Sequence, residues 1–186
     1  WSDDLIGGTS MTAPLEVMLK AQHSYEEYCD YNKKVVAQRR ASGPGEDLMS
    51  VLVHAEIDGE KLSDEDLLQD SLLILVGGDE TTRHVISGGM HQLLLHPEQM
   101  RFLAEDPRRV PTAVEEMLRW VTPIQNMART ATRDVELRGE TIREGDKLLL
   151  LYHSANRDER VFEQPEKFLA DRQPNPHVAF GGYGAH

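Results

Sequence analysis

Apolar side chains recur at helical spacing over much of the first 120 residues. Between residues 14 and 40 they fall three or four positions apart, which predicts a helix that ends near Arg40, before the breaker cluster Ser42–Gly45. A shorter helix is predicted over residues 46–54, followed by a turn over residues 56–60. The first part of the chain is therefore expected to be helical.

A long helix is predicted from Ser63 to His96. Ser63 and Asp66 have the S-x-x-D spacing of a capping box, in which each side chain bonds to the backbone N–H of the other residue. About thirty residues at 1.5 Å each make a rod of about 45 Å, which is long for a globular protein. Pro97 ends this pattern.

The pattern changes from helical to strand-like in the second part of the chain. Two more helices are predicted, over residues 98–105 and from Pro111 to near Trp120. The segments Val135–Arg138 and Lys147–Tyr152 indicate strands, and residues 156–186 show no steady period. The sequence predicts a mainly α fold with a small β-sheet, forming part of a larger single domain.

Composition and charge narrow the possible partners. Of the 186 residues, 39% are hydrophobic and 28% are charged, and the net charge is -12. This charge disfavours binding to nucleic acid or to an anionic membrane, and no apolar run approaches the roughly 20 residues that span a bilayer. With no visible signal peptide, the sequence predicts a cytoplasmic protein.

The middle of the long helix carries the unusual run Gly77-Gly78-Asp79-Glu80-Thr81-Thr82. Each glycine costs about 1 kcal/mol relative to alanine inside a helix. Adjacent glycines allow close approach of a flat ligand, and threonine hydroxyls can bond to the preceding turn and open the helix. The run is interpreted either as a functional site or as a helix-packing contact that needs small residues.

Two further motifs follow downstream. Glu116 and Arg119 form an E-x-x-R pair on one helix face, worth only about 0.2–0.5 kcal/mol if exposed. The final stretch, Asn175–His186, has three glycines within four residues but lacks the spacing of a phosphate-binding loop.

In this order, the glycine–acid–threonine run, the E-x-x-R pair, Arg172 with Asn175-Pro176-His177, and the F-G-x-x-G-x-H stretch from Phe180 to His186 resemble the cytochrome P-450 family. The resemblance covers essentially the whole chain. It implies a partial cytochrome P-450 fold over residues 1–186, a single domain truncated at both ends, from a haem-thiolate monooxygenase that binds haem b. It also implies that the chain ends two residues before the cysteine that holds the iron, so that this fragment is inactive by itself.

The resemblance assigns expected roles to residues of this chain. Thr81 matches the threonine that hydrogen-bonds dioxygen, and Glu80 matches the acidic neighbour that relays protons. Gly77 and Gly78 are expected where the helix passes over the haem.

Further expected roles concern the haem-side core. Arg129 and His186 match cations that pair with the haem propionates, and Phe180 begins the haem-binding loop. A structural network in the core is expected to contain Glu116, Arg119 and Arg172.

The resemblance also suggests a substrate and partners. The segment Ile124-Gln125-Asn126-Met127 is expected to line the substrate pocket, although it also fits an ordinary lead-in to a strand. The run from Gly78 to Gly89 is similar to actinobacterial enzymes that oxidise sterol side chains, while fatty acids and terpenes remain open. A ferredoxin with its reductase, O2 and a small apolar substrate are the implied partners.

Two other hypotheses come from different classes. His84, His91 and His96 near Asp79 and Glu80 suggest a metal-dependent hydrolase or oxidase. No Glu-x-x-His motif is visible, however, and the nearest candidates, Glu80 and His84, are four residues apart. A non-catalytic helical interaction module is the other hypothesis.

The sole cysteine of the sequence, Cys29, does not fit as an iron ligand. It lies among Glu26, Glu27 and Asp30, which disfavour a thiolate.

Overall fold

The computed structural model describes residues 1–10 and 12–182. Its helices are α1 (Ser2–Gly8), α2 (Leu15–Ser42), α3 (Leu48–His54), α4 (Asp64–Leu95), α5 (Pro97–Glu105), α6 (Val110–Val121) and α7 (Tyr152–Ala155), with a 3₁₀ turn at Pro107–Arg109. Its strands are β1 (Glu56–Ile57), β2 (Glu60–Lys61), β3 (Asn126–Thr130), β4 (Val135–Leu137), β5 (Glu140–Ile142) and β6 (Lys147–Leu151). The predicted mainly α fold is confirmed.

Contacts divide the chain into two compact units, Trp1–Glu80 and Thr81–His186, with the boundary inside α4. In the first unit, Val36, Val53 and Leu67 form a buried apolar cluster. The first unit thus has its own small core.

The start of α4 has the predicted capping box. The backbone N–H of Asp66 donates to the Ser63 hydroxyl at 3.1 Å, and the backbone N–H of Ser63 donates to the Asp66 carboxylate at 3.1 Å. These two bonds satisfy two of the backbone donors that helix formation leaves unpaired. The predicted turn just before it is the tip of the β1–β2 hairpin, with positive φ at Asp58 and Gly59.

Helix α4 continues without a break through its glycine–acid–threonine run, so the helix is not opened there. A Cβ atom added at Gly77 or Gly78 would meet no heavy atom within 4 Å among the described residues, apart from the adjoining backbone of α4 itself. This gives the helix-packing interpretation of these two residues no support. The close approach lies about three turns further on, where a Cβ at Gly89 would come within 2.5 Å of Met117 on α6. Small residues in α4 are therefore needed at the α6 contact.

In the second unit, α5 and α6 pack on the irregular segment that follows α7, through a buried apolar cluster. Its members are Leu93, Leu103, Ala113, Phe168 and Ala170. The β-structure of the described residues consists of three separate two-stranded antiparallel sheets, in place of the one small sheet predicted. In the β3–β6 pair, Met127 lies opposite Leu150 and Arg129 lies opposite Leu148.

None of the helices in the described part of the chain is both long enough and apolar enough to cross a membrane.

Candidate functional site

Glu116 and Arg119 are fully buried in the structure, where they lie on one face of α6. The guanidinium of Arg119 donates to both carboxylate oxygens of Glu116, through Nε at 2.7 Å and Nη2 at 2.8 Å. Such a bidentate pair is stronger and more directional than a single neutral hydrogen bond. The buried site therefore differs from the weak exposed pair that the spacing alone describes.

Arg172 completes a three-residue cluster around the same carboxylate. Its Nε donates to Glu116 Oε2 at 2.9 Å, and the backbone N–H of Leu169 donates to Glu116 Oε1 at 2.9 Å. The remaining N–H groups of Arg119 donate to the carbonyl oxygens of Asn156, Pro165 and Lys167. All five donors of Arg119 are thus used, as a buried guanidinium requires.

Asn156 extends this network to the C-terminal loop. Its Nδ2 donates to the Thr122 hydroxyl at 2.9 Å, and its Oδ1 accepts from the backbone N–H of Val178 at 2.8 Å. Thr122 ends α6 in the left-handed region, with φ 45°, and its hydroxyl donates to the Arg119 carbonyl. Sequence reasoning missed Asn156 and Thr122, because the bonds of Asn156 to Thr122, Val178 and Arg119 join groups that lie 22 to 37 residues apart in the chain.

A cleft of about 650 Å³ lies beside this loop, within the size range of small-molecule sites. Its walls are mostly apolar, and the one charged side chain among the described lining residues is that of Arg129. The lining consists of Ile124, Met127, Arg129, Leu150, Leu151, Tyr152, Ala155, Val178, Ala179, Phe180, Gly181 and Gly182.

This lining fits the group that the resemblance implies. Haem is a flat, largely apolar molecule with two carboxylates, and the cleft offers apolar walls with one cation, Arg129, that can pair with a carboxylate. Phe180, exposed at 76%, lines the cleft. Its neighbour Gly181, with φ 77°, has a backbone conformation that other residues rarely adopt. The described lining contains no cysteine.

The four residues expected in the substrate pocket are divided between two cavities. Ile124 and Met127 line the large cleft. Gln125 and Asn126 line a smaller cavity of about 250 Å³ with His153. Because successive side chains of a strand point to opposite faces, Asn126 and Met127 of β3 cannot both face one cavity.

Two basic side chains in and just after α7, His153 and Arg157, have lowered pKa values. Burial lowers the pKa of the Arg157 guanidinium, which lies 4.8 Å from the centre of the Trp120 ring. Burial, and to a smaller extent the Arg157 charge, lowers the pKa of His153 and so favours its neutral imidazole.

The other expected site residues lie elsewhere. Glu80 and Thr81 are neighbouring half-buried residues of α4, and Gly77 and Gly78 are exposed on it. His186 falls outside the described residues. Cys29 lies in α2 of the first unit and is half-buried. No cluster of three or more His, Cys, Asp or Glu side chains that could hold a metal ion occurs in the part of the chain that the structure describes.

Comparison with known proteins gives a consistent picture. The family model for Cytochrome P-450 matches residues 14–111 and 109–181. A steroid C26-monooxygenase of Mycobacterium tuberculosis is 48% identical over 186 residues, which is 100% of this chain and 50% of that protein. A methyl-branched lipid omega-hydroxylase of Mycobacterium bovis is 47% identical over 152 residues, which is 81% of this chain and 36% of that protein.

A solved structure supports the same relationship. The cytochrome P-450 of Mycobacterium marinum in complex with pseudoionone has a TM-score of 0.83 and 40% sequence identity. The match covers 100% of this chain and 45% of that one. The chain thus spans about half the length of the relatives it matches.

Proposed function

This chain belongs to the cytochrome P-450 family, and we propose that it forms the haem-binding half of a longer monooxygenase that hydroxylates an apolar substrate. Both of its compact units would belong to one domain of that protein. The observation that carries the proposal is the apolar cleft of about 650 Å³ with Arg129 as its charged lining residue. The whole enzyme would use O2, two electrons and two protons, placing one oxygen atom in a C–H bond and releasing the other as water.

The cofactor proposed for the cleft is haem b. Arg129 would pair with a propionate, while Leu150, Phe180 and Gly181 would contact the porphyrin. A cysteine thiolate would hold the iron, expected two residues after His186. Bound in this way, the haem supplies the chemistry that activates dioxygen.

Proton delivery is proposed for Glu80 and Thr81. A carboxyl and a hydroxyl group on consecutive half-buried residues of one continuous helix could take part in passing protons inward from solvent. The Thr81 hydroxyl would orient dioxygen by a hydrogen bond, and the Glu80 carboxyl would resupply its proton. Gly77 and Gly78 would keep the helix surface flat above the haem.

The buried cluster of Glu116, Arg119 and Arg172 is proposed as a structural support. It holds the carbonyl groups of the segment from Asn156 to Lys167 against α6. This support fixes the wall of the cleft that Val178 and Ala179 form, through the Asn156 side chain.

The proposed substrate is the side chain of a sterol. The relative that is 48% identical over the whole chain is a steroid C26-monooxygenase, which supports this choice. The methyl-branched lipid omega-hydroxylase supports a branched fatty acid as the second candidate. Ile124 and Met127 would contact the substrate, because both line the cleft.

A ferredoxin and its reductase are the proposed electron donors, and the proposal includes the cytoplasm as the location because these donors are expected there. The test uses the full-length protein that contains this chain, with ferredoxin, reductase and isotopically labelled dioxygen. A sterol with an intact side chain is compared with a methyl-branched fatty acid. One labelled oxygen atom at the end of the sterol side chain is expected. Haem-loaded, reducible protein that labels neither substrate would contradict the proposed function.

A further inference from the structure

His177 forms a bridge that the proposed mechanism does not use. Its side chain is 6% exposed, and its Nε2 lies 2.8 Å from the Glu115 carboxylate on α6. Its Nδ1 accepts a hydrogen bond from the backbone N–H of Ala179 at 3.2 Å. One imidazole thus links α6 to the loop that forms the cleft wall.

The two bonds define the tautomer. Because Nδ1 accepts from a backbone N–H, it carries a lone pair and no proton. Nε2 then carries the proton and donates it toward Glu115 Oε2. The ring is therefore used at both nitrogens, once as a donor and once as an acceptor.

Among the residues that the structure describes, few other groups hold the loop beyond His177. Val178 is held by Asn156, and Ala179, exposed at 1%, packs against Val85 and Leu118. Phe180, the next residue, is 76% exposed, and its ring lies 6.2 Å from the His177 ring, centre to centre. The position of Phe180 in the cleft wall thus depends on the residues just before it.

We propose that His177 is a positioning residue, which sets the haem-facing loop Val178–Gly182 against α6 through its bond to Glu115. The inference rests on the proposed haem-binding function. The bond to Glu115 positions the loop, and the bond to Ala179 orients the imidazole.

Two substitutions in the full-length protein separate these tasks. His177→Gln places an amide nitrogen where Nε2 lies, which keeps the bond to Glu115 and loses the acceptor for Ala179. His177→Asn places an amide oxygen where Nδ1 lies, which keeps the acceptor and loses the bond to Glu115. Both remove the ring, so they are matched for its packing against Phe180. Substitution of an exposed histidine, His23→Gln, is the surface control.

The first readout is hydrogen exchange at the Ala179 amide, which needs no haem. Losing one ordinary hydrogen bond is expected to speed this exchange about tenfold in His177→Gln, with little change in His177→Asn. The second readouts are the haem dissociation rate and the Soret spectrum of the reduced carbon monoxide complex. His177→Asn is expected to release haem about tenfold faster and to lose part of the thiolate-type spectrum, whereas His177→Gln stays near wild type.

The outcomes distinguish the two proposals. Equal haem retention and spectra in His177→Asn and His177→Gln would overturn the positioning role, because only the ring would then matter. Ala179 exchange that is the same in all variants would contradict the bridge itself. Wild-type protein that takes up no haem would instead contradict the proposed function, together with the haem-facing part of this inference.

Discussion

The side-chain oxygen of Asn156 accepts a hydrogen bond from the backbone N–H of Val178 at 2.8 Å. The same amide donates to Thr122 at 2.9 Å, and Asn156 is fully buried. Both ends of one side chain are therefore occupied, and they connect the end of α6 to the loop that lines the cleft. The buried ion cluster and the cleft wall share this residue.

Replacing Asn156 with alanine should destabilise the protein. The Val178 N–H and the Thr122 hydroxyl would lose a buried partner, which costs about 3 kcal/mol in the free energy of unfolding. Urea denaturation of the full-length protein measures this loss. Asn126→Ala, at an exposed strand position, should change the same free energy by about 0.5 kcal/mol or less. Equal effects of the two substitutions would show that the Asn156 amide is not a structural link.

Replacing Glu116 with glutamine should lower the free energy of unfolding by more than the Asn156 substitution does. The change leaves the guanidinium groups of Arg119 and Arg172 buried without their counter-charge, a loss of about 3–5 kcal/mol. The matched control is Glu98→Gln, since the Glu98 side chain is exposed. The urea midpoint is expected to fall in Glu116→Gln and to stay at the wild-type value in Glu98→Gln. If Glu116→Gln unfolds at the wild-type midpoint, the buried cluster is not a support.

Glycine-to-alanine substitutions in α4 should have opposite effects at two positions. At Gly78 the added methyl meets open space, so removing a poor helix former should raise stability by about 1 kcal/mol. At Gly89 the methyl meets Met117 at 2.5 Å, so overpacking should lower stability by about 1–3 kcal/mol. Thermal unfolding of both variants without haem measures the difference. Destabilisation by Gly78→Ala would show that α4 is packed at this point.

The cap of α3 should make stability depend on pH. Hydrogen bonds from the Ser50 hydroxyl and backbone N–H, and then from Arg39, lower the pKa of Asp47 from 3.8 to about 2. Since the folded pKa lies below the unfolded value, the stabilisation is fully present above 3.8 and is lost as the pH falls through about 2. Asp47→Asn keeps a capping oxygen but cannot titrate.

The measurement is the urea midpoint of wild type and Asp47→Asn at several pH values. The wild-type advantage should be constant above about pH 5 and should shrink between about pH 4 and pH 2. Curves that stay parallel through this window would rule out the low pKa of Asp47.

Local patterns predicted five of the helices well because their signals are local. Proline at position 97 and the Ser63 capping box act within a turn, and the structure places the boundaries of these five helices within a few residues of the predicted ones. The short helices α1 and α7 were not predicted. Strand β3 was missed because Asn126–Thr130 lacks alternation, and its conformation depends on pairing with β6, about twenty residues away.

Only part of the site could be predicted from the sequence. The E-x-x-R spacing places Glu116 and Arg119 on one face of a helix, but their burial depends on carbonyl groups 37 to 48 residues away. His177 gave no local signal for its bond to Glu115, which lies 62 residues earlier. Such contacts arise from tertiary packing, which a single sequence does not display.

The most direct test of the central claim is the reduced carbon monoxide difference spectrum of the full-length protein. Its control carries serine at the cysteine expected two residues after His186. A red-shifted Soret band in the wild type that disappears in the control is the result that the account predicts. A well-folded full-length protein that takes up no haem, or one whose Soret band is unchanged in the control, would contradict it.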